Sequence, residues 1–272
     1  MVVLLTFLVG KFYLKGFIFR PAEMTQLPPD VKTLDTAKEV VSLKVPVLLY
    51  HYVEFVKDQG DTIRKSLNIL PPVFDAEIKT LKDANYTFIT PSIIPDILSG
   101  KVKAPAKPVI LSFDDGYRDF YTDVFPILKK YNVHAVVYIV PGFINLPNNM
   151  TEAQLREIVK SGLVEIGAHT VHHAYLTGLP DFRARDEISQ SKTDLEKKFN
   201  VKVVSFAYPY GAFNSKVIGL VKAAGFTTAV TTIPGIDVSS SDVYFIPRIR
   251  PGGRAGKSLL DLLGQSSFKP YN

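Results

Sequence analysis

The sequence of 272 residues predicts an α/β fold in which a closed or nearly closed barrel of parallel strands is covered by helices. Short apolar runs alternate with helical patterns from residue 45 nearly to the end of the chain. Wholly apolar strands are typical of parallel sheets that are buried on both faces. Seven or eight such units favour a barrel over an open sheet, and barrels gather their functional side chains at the carboxyl ends of the strands.

The predicted strands are short runs bounded by polar or turn-forming residues. In chain order they are Val45–His51, Tyr86–Thr90, Val109–Phe113, Ala135–Val140, Val164–Ala168, Val203–Ala207, Thr227–Thr231 and Tyr244–Ile249. Helical spacing of apolar side chains lies between them, within Phe74–Leu81, Leu155–Val159, Ile188–Phe199 and Val217–Val221. This alternation predicts helices that cross over the outside of a parallel sheet.

The first 44 residues differ in character from the rest. Residues 1–20 are almost wholly apolar and carry charges only at Lys11, Lys15 and Arg20, which is typical of a signal peptide or a membrane anchor. The lack of a small-residue cleavage site favours an anchor, with an amphipathic helix as the alternative. Residues 21–44 are polar and contain prolines, so we interpret them as a linker before a domain at 45–272. We therefore expect a protein of the bacterial cell envelope that is extracellular or anchored on the outer face of the membrane.

Composition restricts the partners and the site chemistry. The net charge of +6 arises from 32 Lys and Arg against 26 Asp and Glu, without a dense basic block, so we expect no nucleic-acid partner. The chain has no Cys, which excludes disulfides, thiolate metal sites and cysteine nucleophiles. We expect the protein to be a monomer.

Two adjacent carboxylates follow the run Val109–Phe113. Asp114, Asp115 and Gly116 come directly after it, and at a strand end both carboxylates can reach the mouth of a barrel. Neighbouring carboxylates disfavour each other's ionisation unless a cation or hydrogen-bond donors intervene. The pattern indicates a site, with an Asp-Gly turn that caps the next helix as the alternative.

Three of the five histidines lie within five residues, directly after Val164–Ala168. We expect one helical turn here, which would place His169 and His173 on the same face. Two histidines and a carboxylate are a recurring open site for zinc and related ions. His172 would point away, either behind the ligands or on the surface, and His134, which begins an apolar run, is interpreted as structural.

Two other strand ends carry candidate residues. The sharp turn through Pro209, Tyr210 and Gly211 follows Val203–Ala207, and such a turn can present a backbone N–H to an oxyanion. His51 ends the first apolar run, where barrel geometry would direct it to the same mouth. Taken alone, the turn is a weak signal because Pro and Gly occur in most loops, and a single histidine in this position is more often structural than catalytic.

Together these motifs resemble the polysaccharide deacetylases, carbohydrate esterase family 4, which share the NodB-homology domain. The resemblance covers roughly residues 45–250 and rests on the order and spacing of Ser112–Gly116, His169–His173 and Tyr208–Gly211. It implies a distorted (β/α) barrel of about seven parallel strands. It also implies a metal-dependent hydrolase that acts on an acetylated polysaccharide.

The resemblance also implies residue roles. Asp114 would be the general base, and the backbone N–H of Tyr210, after Pro209, would stabilise the oxyanion. Three residues are implied to hold the metal: Asp115, His169 and His173. The implied ion is divalent, with Zn²⁺ first and Co²⁺, Ni²⁺ or Mn²⁺ as alternatives.

Two departures from the family pattern point to a subgroup. Ala207 stands where many members have an Arg that steadies the base, and no His follows His173 to supply the usual acid. The chain is similar instead to a circularly rearranged subgroup, the exported poly-N-acetylglucosamine deacetylases of biofilm systems. Their acid lies in an early Leu-Tyr-His segment, which matches the one that ends at His51. We predict that Arg248 or Arg250 replaces the missing Arg, with surface strand positions as the alternative.

The sequence thus predicts removal of N-acetyl groups from an extracellular N-acetylhexosamine polymer, such as poly-N-acetylglucosamine, a chitin-like glycan or the peptidoglycan glycan. An O-acetyl esterase acting on xylan is one alternative, because the same metal site hydrolyses esters and amides. A non-catalytic carbohydrate-binding domain is another, and the complete set of site residues argues against it.

Overall fold

The structure, a computed structural model, describes residues 21–31, 41–58 and 60–265. The prediction of a signal peptide or anchor falls on residues 1–20, outside the described residues, and residues 32–40 of the predicted linker also lie outside them. Within the described ranges, no helix has both the length and the apolar character needed to cross a membrane.

The chain alternates strands and helices. The strands of the described part are β1 (Ser42–Lys44), β2 (Val47–Tyr50), β3 (Tyr52–Val53), β4 (Asn68–Ile69), β5 (Thr87–Phe88), β6 (Pro108–Phe113), β7 (Ala135–Ile139), β8 (Val164–Ala168), β9 (Ser205–Ala207), β10 (Thr228–Val230) and β11 (Asp237–Ser239). The α-helices of the same part are α1 (Thr62–Leu67), α2 (Pro71–Asp83), α3 (Ile94–Leu98), α4 (Phe125–Tyr131), α5 (Glu152–Lys160), α6 (Asp181–Phe199), α7 (Ser215–Ala223) and α8 (Lys257–Gln265).

The central sheet is parallel, as the apolar strands predict. Six strands lie side by side in the order β10-β9-β8-β7-β6-β2, and the short β5 pairs with the first two residues of β6. Every residue of β6 and of β7 is buried, because helices cover the outside of the sheet and other strands face its inside. The predicted parallel sheet of about seven strands, curled into a distorted barrel, is confirmed.

The segment after β11 spans the gap between the two edge strands. Ile246 forms a parallel bridge to β10, and Ile249 forms one to β2. Tyr244–Ile249, which we predicted as a strand, therefore makes isolated pairings instead of a continuous ladder. Pro247 between the two bridges has no N–H to donate to a neighbouring strand.

Two apolar layers hold the barrel together. The interior is filled by a smaller cluster that includes Val47, Ile110 and Tyr138. A larger cluster lies between the sheet and the helices, where α2 buries Phe74 and neighbouring apolar residues at helical spacing. The carboxyl ends of the parallel strands consequently open on one side of the barrel, where the site residues lie.

Candidate active site

The chain leaves β6 through a turn that only certain residues allow. Asp115 and Gly116 both have left-handed backbone angles, with φ of 71° and 66°. A Cβ on Gly116 would lie 2.8 Å from the Cδ1 of Ile139, so the position requires glycine. Asn149 donates from its side chain to the carbonyl oxygen of Asp115 at 3.0 Å. The Asp-Gly turn therefore exists, and it places both carboxylates at the barrel mouth.

Asp114 is held by a buried arginine. The two terminal nitrogens of Arg248 donate to the two carboxylate oxygens of Asp114 at 2.8 and 2.7 Å, and its Nε donates to the carbonyl of Thr231 at 2.8 Å. Burial works to raise the pKa of Asp114, but the guanidinium outweighs it and keeps that pKa well below the ordinary range. Arg250, the other candidate, instead binds Glu23 with distances of 2.5 and 2.6 Å.

Asp115, His169 and His173 converge. The Nε2 atoms of His169 and His173 lie 3.5 and 3.3 Å from the Oδ1 of Asp115, and the ligand atoms of the three residues all lie within 4.8 Å of one another. The carbonyl of Ala207 lies 2.7 Å from the Nδ1 of His169. When Nδ1 carries the proton and donates it to that carbonyl, the lone pair of Nε2 is free to bind a cation.

The two histidines meet in a different way from the one expected. Residues 169–173 form a turn, and the helical turn that we predicted there is wrong. Thr170 and His173 have left-handed backbone angles, with φ of 60° and 57°. The chain therefore reverses between the two residues, and their imidazole ring centroids lie 4.8 Å apart.

The three residues fit a divalent metal. The Oδ1 of Asp115 is buried and has no hydrogen-bond partner in the described part of the chain, which is costly unless a cation binds it. Burial lowers the pKa of His173 to about 4, so this imidazole is neutral and able to act as a ligand near pH 7. Two imidazole nitrogens and one carboxylate would occupy three positions of a tetrahedral ion and leave one open.

Glu187 on α6 organises the histidine turn, although no sequence signal singled it out. Its Oε2 accepts from the backbone N–H groups of Val171 and His172, both at 2.9 Å. Its Oε1 lies 2.7 Å from the Nδ1 of His172, whose side chain is exposed. His172 therefore lies at the surface of the turn, while His134 lies exposed just before β7.

The third motif forms a strained turn beside the histidines. Tyr210 has a left-handed conformation with φ 60° and ψ 11°, which is uncommon for a bulky residue, and Pro209 precedes it. Its ring centroid lies 4.7 Å from that of His173 and 6.1 Å from that of Tyr175. The turn thus borders the cluster of Asp115, His169 and His173, and the tyrosine rings extend the site outward along the surface.

His51 lies at the end of β2 and faces the same mouth. It is partly buried, and its Nδ1 has no hydrogen-bond partner within the described ranges. Burial lowers its pKa, while the nearby carboxylates of Asp114 and Asp115 act to raise it. Asp119 fixes the backbone that follows, because its Oδ2 accepts from the N–H of Val53 at 2.5 Å. The sequence contained no signal for this contact, which joins residues 66 positions apart.

Several known proteins are similar to this chain in sequence or in fold. The sequence profile of the polysaccharide deacetylases matches residues 101–229. YxkH of Bacillus subtilis, whose name assigns it to the polysaccharide deacetylases, is 30% identical over 207 residues, which make up 76% of this chain and 71% of that protein. The chain belongs to the polysaccharide deacetylase family. This polysaccharide deacetylase is accordingly a hydrolase whose substrate is an acetylated polysaccharide.

Two other relatives are similar to this polysaccharide deacetylase. The poly-β-1,6-N-acetyl-D-glucosamine N-deacetylase of Staphylococcus aureus is 28% identical over 200 residues, 68% of each chain. The solved structure of the Streptococcus pyogenes deacetylase PplD in complex with acetate superimposes with a TM-score of 0.75 at 29% identity. That match covers 84% of this chain and 100% of that one.

Proposed function

We propose that this protein is a metal-dependent N-deacetylase of an N-acetylhexosamine polysaccharide. The observation that carries the proposal is the convergence of His169 and His173 on the unpaired, buried Oδ1 of Asp115, beside the arginine-held Asp114. The similarity to a Staphylococcus aureus enzyme named for poly-β-1,6-N-acetyl-D-glucosamine supports this class of polymer.

Asp115, His169 and His173 would hold the ion. Their two imidazole nitrogens and one carboxylate favour zinc, with Co²⁺, Ni²⁺ or Mn²⁺ as alternatives. A divalent ion held by these residues would supply Lewis acidity for the acetyl carbonyl and for water. The carbonyl of Ala207 behind His169 would keep the coordinating nitrogen oriented towards the ion.

Asp114 would be the general base. The low pKa of its carboxyl keeps it ionised, and the Arg248 pair fixes the direction of its oxygens. It accepts the proton of the water that attacks the acetyl carbon, and the charge that develops on the carbonyl oxygen meets the backbone N–H of Tyr210.

His51 would be the general acid. When the carbon–nitrogen bond breaks, the sugar nitrogen needs a proton, and acetate leaves with the oxygen from water. Imidazole is the side chain best suited to supply that proton near neutral pH. The position of His51 directly after β2, at the same mouth as Asp114 and Asp115, supports this role.

The polymer would lie along the aromatic side of the mouth. Tyr175 is 41% exposed, and its ring continues outward from those of Tyr210 and His173. Sugar rings present apolar C–H faces that pack well on such side chains, while their hydroxyl groups remain in water. We propose that a sugar next to the reacting one contacts Tyr175.

We also propose that the enzyme works in the bacterial cell envelope. The apolar character of residues 1–20 supports a signal peptide or an anchor on the outer face of the membrane.

Metal analysis combined with an acetate-release assay tests the function. We expect about one divalent ion per chain, and acetate with an equal amount of free amine from poly-β-1,6-N-acetylglucosamine or chito-oligosaccharides. In a His169→Ala, His173→Ala double variant, both the metal and the turnover should be lost. Acetate from acetylxylan alone would establish an O-acetyl esterase instead. Glycan binding without any acetate release would establish a non-catalytic domain.

A further inference from the structure

Residues 21–31, which we call the strap, lie across the active-site side of the barrel. Met24 and Val31 pack partly buried against the larger apolar cluster. At the far end Asp30 accepts the N–H of Ser215, the first residue of α7, at 2.9 Å, and the Ser215 hydroxyl donates to the Asp30 carbonyl at 2.6 Å. The strap is therefore attached to the domain at several points along its length.

The strap contacts the strained turn directly. The N–H of Met24 donates to the carbonyl oxygen of Tyr210 at 2.9 Å. The hydroxyl of Thr232 donates to the carbonyl of Met24 at 2.7 Å and lies 3.4 Å from the same Tyr210 oxygen. The N–H of Met24 thus holds this oxygen, and Thr232, which is 208 residues away in the chain, fixes the Met24 backbone that carries the N–H.

Holding this oxygen restrains the conformation of Tyr210. The direction of its carbonyl is set by its ψ angle, and its left-handed conformation is one that a bulky residue rarely adopts without support. Thr232 approaches closely because Gly211 has no side chain: a Cβ on Gly211 would lie only 2.1 Å from the Thr232 hydroxyl oxygen. The turn, the strap and Thr232 therefore fit together as one unit.

A charge contact links the strap to the same mouth. Glu23, next to Met24, binds Arg250 through both carboxylate oxygens. Arg250 acts to lower the pKa of His51, and Glu23 acts to raise it. The strap thus brings a negative charge that offsets Arg250 near the histidine.

We propose that the strap is a working part of the active site, in which Met24, through its backbone, and Thr232 are positioning residues for the Tyr210 turn. They hold Tyr210 in the conformation that aims its N–H at the acetyl carbonyl oxygen. This inference rests on the proposed function, because it assigns a supporting structure to the proposed oxyanion donor. It also gives a role in the reaction to residues that the sequence indicates only as part of a linker.

The first test compares Thr232→Val with Thr232→Ser in the full-length, metal-loaded protein. Valine keeps the shape but removes the hydroxyl, so kcat should fall by about 10-fold or more while KM and metal content stay unchanged, since misdirected oxyanion donors cost up to about 10²–10³ in kcat. Serine keeps the hydroxyl and should restore kcat. Thr193→Val, which removes a hydroxyl bonded to the Ser189 carbonyl on the surface of α6, is the matched control.

The second test acts on the strap itself. Met24→Pro removes the N–H that binds the Tyr210 carbonyl, whereas Met24→Ala loses the side chain but keeps this N–H. We expect a kcat loss with proline and near-normal kcat with alanine. If Thr232→Val and Met24→Pro both keep the kcat of the unmodified protein at normal metal content, as Thr232→Ser is expected to, the strap has no role in the reaction.

The outcomes separate this inference from the proposed function. If the unmodified protein binds metal but releases no acetate from any glycan, the proposed function fails before any variant is compared. A different outcome is possible when the unmodified protein is active. If Thr232→Val loses both kcat and thermal stability, and Thr232→Ser restores neither, the contact is structural and the positioning role is overturned.

Discussion

Asp114 and Asp115 are neighbours in sequence, yet they meet opposite partners in the fold. Asp114 binds both terminal nitrogens of Arg248, whereas the Oδ1 of Asp115 faces two imidazole nitrogens. A carboxylate already neutralised by a guanidinium attracts a cation less strongly but keeps lone pairs for a proton. The arrangement therefore supports the proposal that Asp114 transfers protons and that Asp115 binds the cation.

The base assignment predicts the behaviour of Asp114→Asn. The amide cannot accept the proton from water, so kcat should fall by about 10²–10⁴-fold. Metal content should remain at about one ion per chain, because the three proposed ligands are intact. Metal analysis and acetate release measure both quantities. Asp83→Asn, on an exposed carboxylate of α2, should leave both unchanged, and an active Asp114→Asn enzyme would rule out this role.

The acid assignment predicts a change in pH dependence. A general acid works only when protonated, so activity should fall as the pH rises through its pKa, and His51 should produce this basic limb of the profile. His51→Ala should keep the metal, lower kcat and remove the basic limb. The measurement is the pH profile of kcat/KM for the unmodified and variant enzymes. A basic limb that persists unchanged in His51→Ala would contradict the assignment.

Single elements of the structure aim the site residues. The turn after β8 reverses the chain at Thr170 and His173, and Glu187 on α6 binds the N–H groups of the two residues between them. The turn after β9 presents Tyr210, and its ring contacts that of His173. The conformation of the short turns thus sets the directions of the site side chains, and the strands and α6 set the positions of the turns.

The aromatic surface beside these turns predicts a subsite for a neighbouring sugar. Loss of one stacked ring is worth about 0.5–1.5 kcal/mol, which corresponds to roughly a 2- to 10-fold change in binding. Tyr175→Ala should therefore raise KM for long N-acetylated oligomers by that factor while leaving hydrolysis of a small acetyl ester unchanged. Tyr86→Ala, just before β5, serves as the control variant. An equal effect on oligomer and small ester would show that Tyr175 does not contact a second sugar.

The whole barrel encloses a few ionisable groups in its apolar layers. The hydroxyl of Tyr50 on β2 donates to Glu77 on α2 at 2.9 Å, and the rings of Phe74 and Phe113 pack against Tyr50. The other carboxylate oxygen of Glu77 has no partner in the described part of the chain. Burial raises the pKa of Glu77 to about 8, although the Tyr50 hydrogen bond acts in the opposite direction. Glu77 is therefore protonated in the folded protein at neutral pH.

This buried acid predicts how stability depends on pH. The unfolded chain releases the Glu77 proton near pH 4.5, while the folded protein keeps it up to about pH 8. The stabilisation that the protonated Glu77 gives to the folded state is therefore full at low pH. As the pH rises from 4.5 to about 8, the free energy of unfolding falls by up to about 1.4 kcal/mol per pH unit. The glutamine in Glu77→Gln stays neutral at every pH. The difference in the free energy of unfolding, variant minus unmodified protein, should therefore be more positive at pH 8 than at pH 5.

Urea unfolding of both proteins at pH 5 and pH 8 measures this difference. Glu157→Gln is a matched control, because Glu157 also accepts from a tyrosine hydroxyl but is exposed to solvent. It should change stability by the same amount at both pH values. If Glu77→Gln also shifts stability equally at both, the carboxyl does not hold a proton in the folded state.

Local patterns in the sequence determined the parallel barrel and the candidate residues. Apolar runs indicated the strands, and polar residues at the ends of those runs indicated Asp114, Asp115 and the histidines. These predictions succeed because a buried parallel strand needs a continuous run of apolar residues, and the residues that reach the mouth of a barrel come directly after such a run. The sequence alone therefore predicts which residue types form the site but not how they are arranged.

Only the tertiary structure decided how these residues meet. Arg248 and Asp114 are 134 residues apart, and no local pattern distinguishes Arg248 from Arg250 as the partner of the base. The left-handed turn that replaces the expected helical turn is held by Glu187 in α6. The contact of Met24 with Tyr210 involves a segment whose sequence has no periodicity. Such contacts form because packing closes the chain on itself, and sequence periodicity carries no information about distances across the barrel.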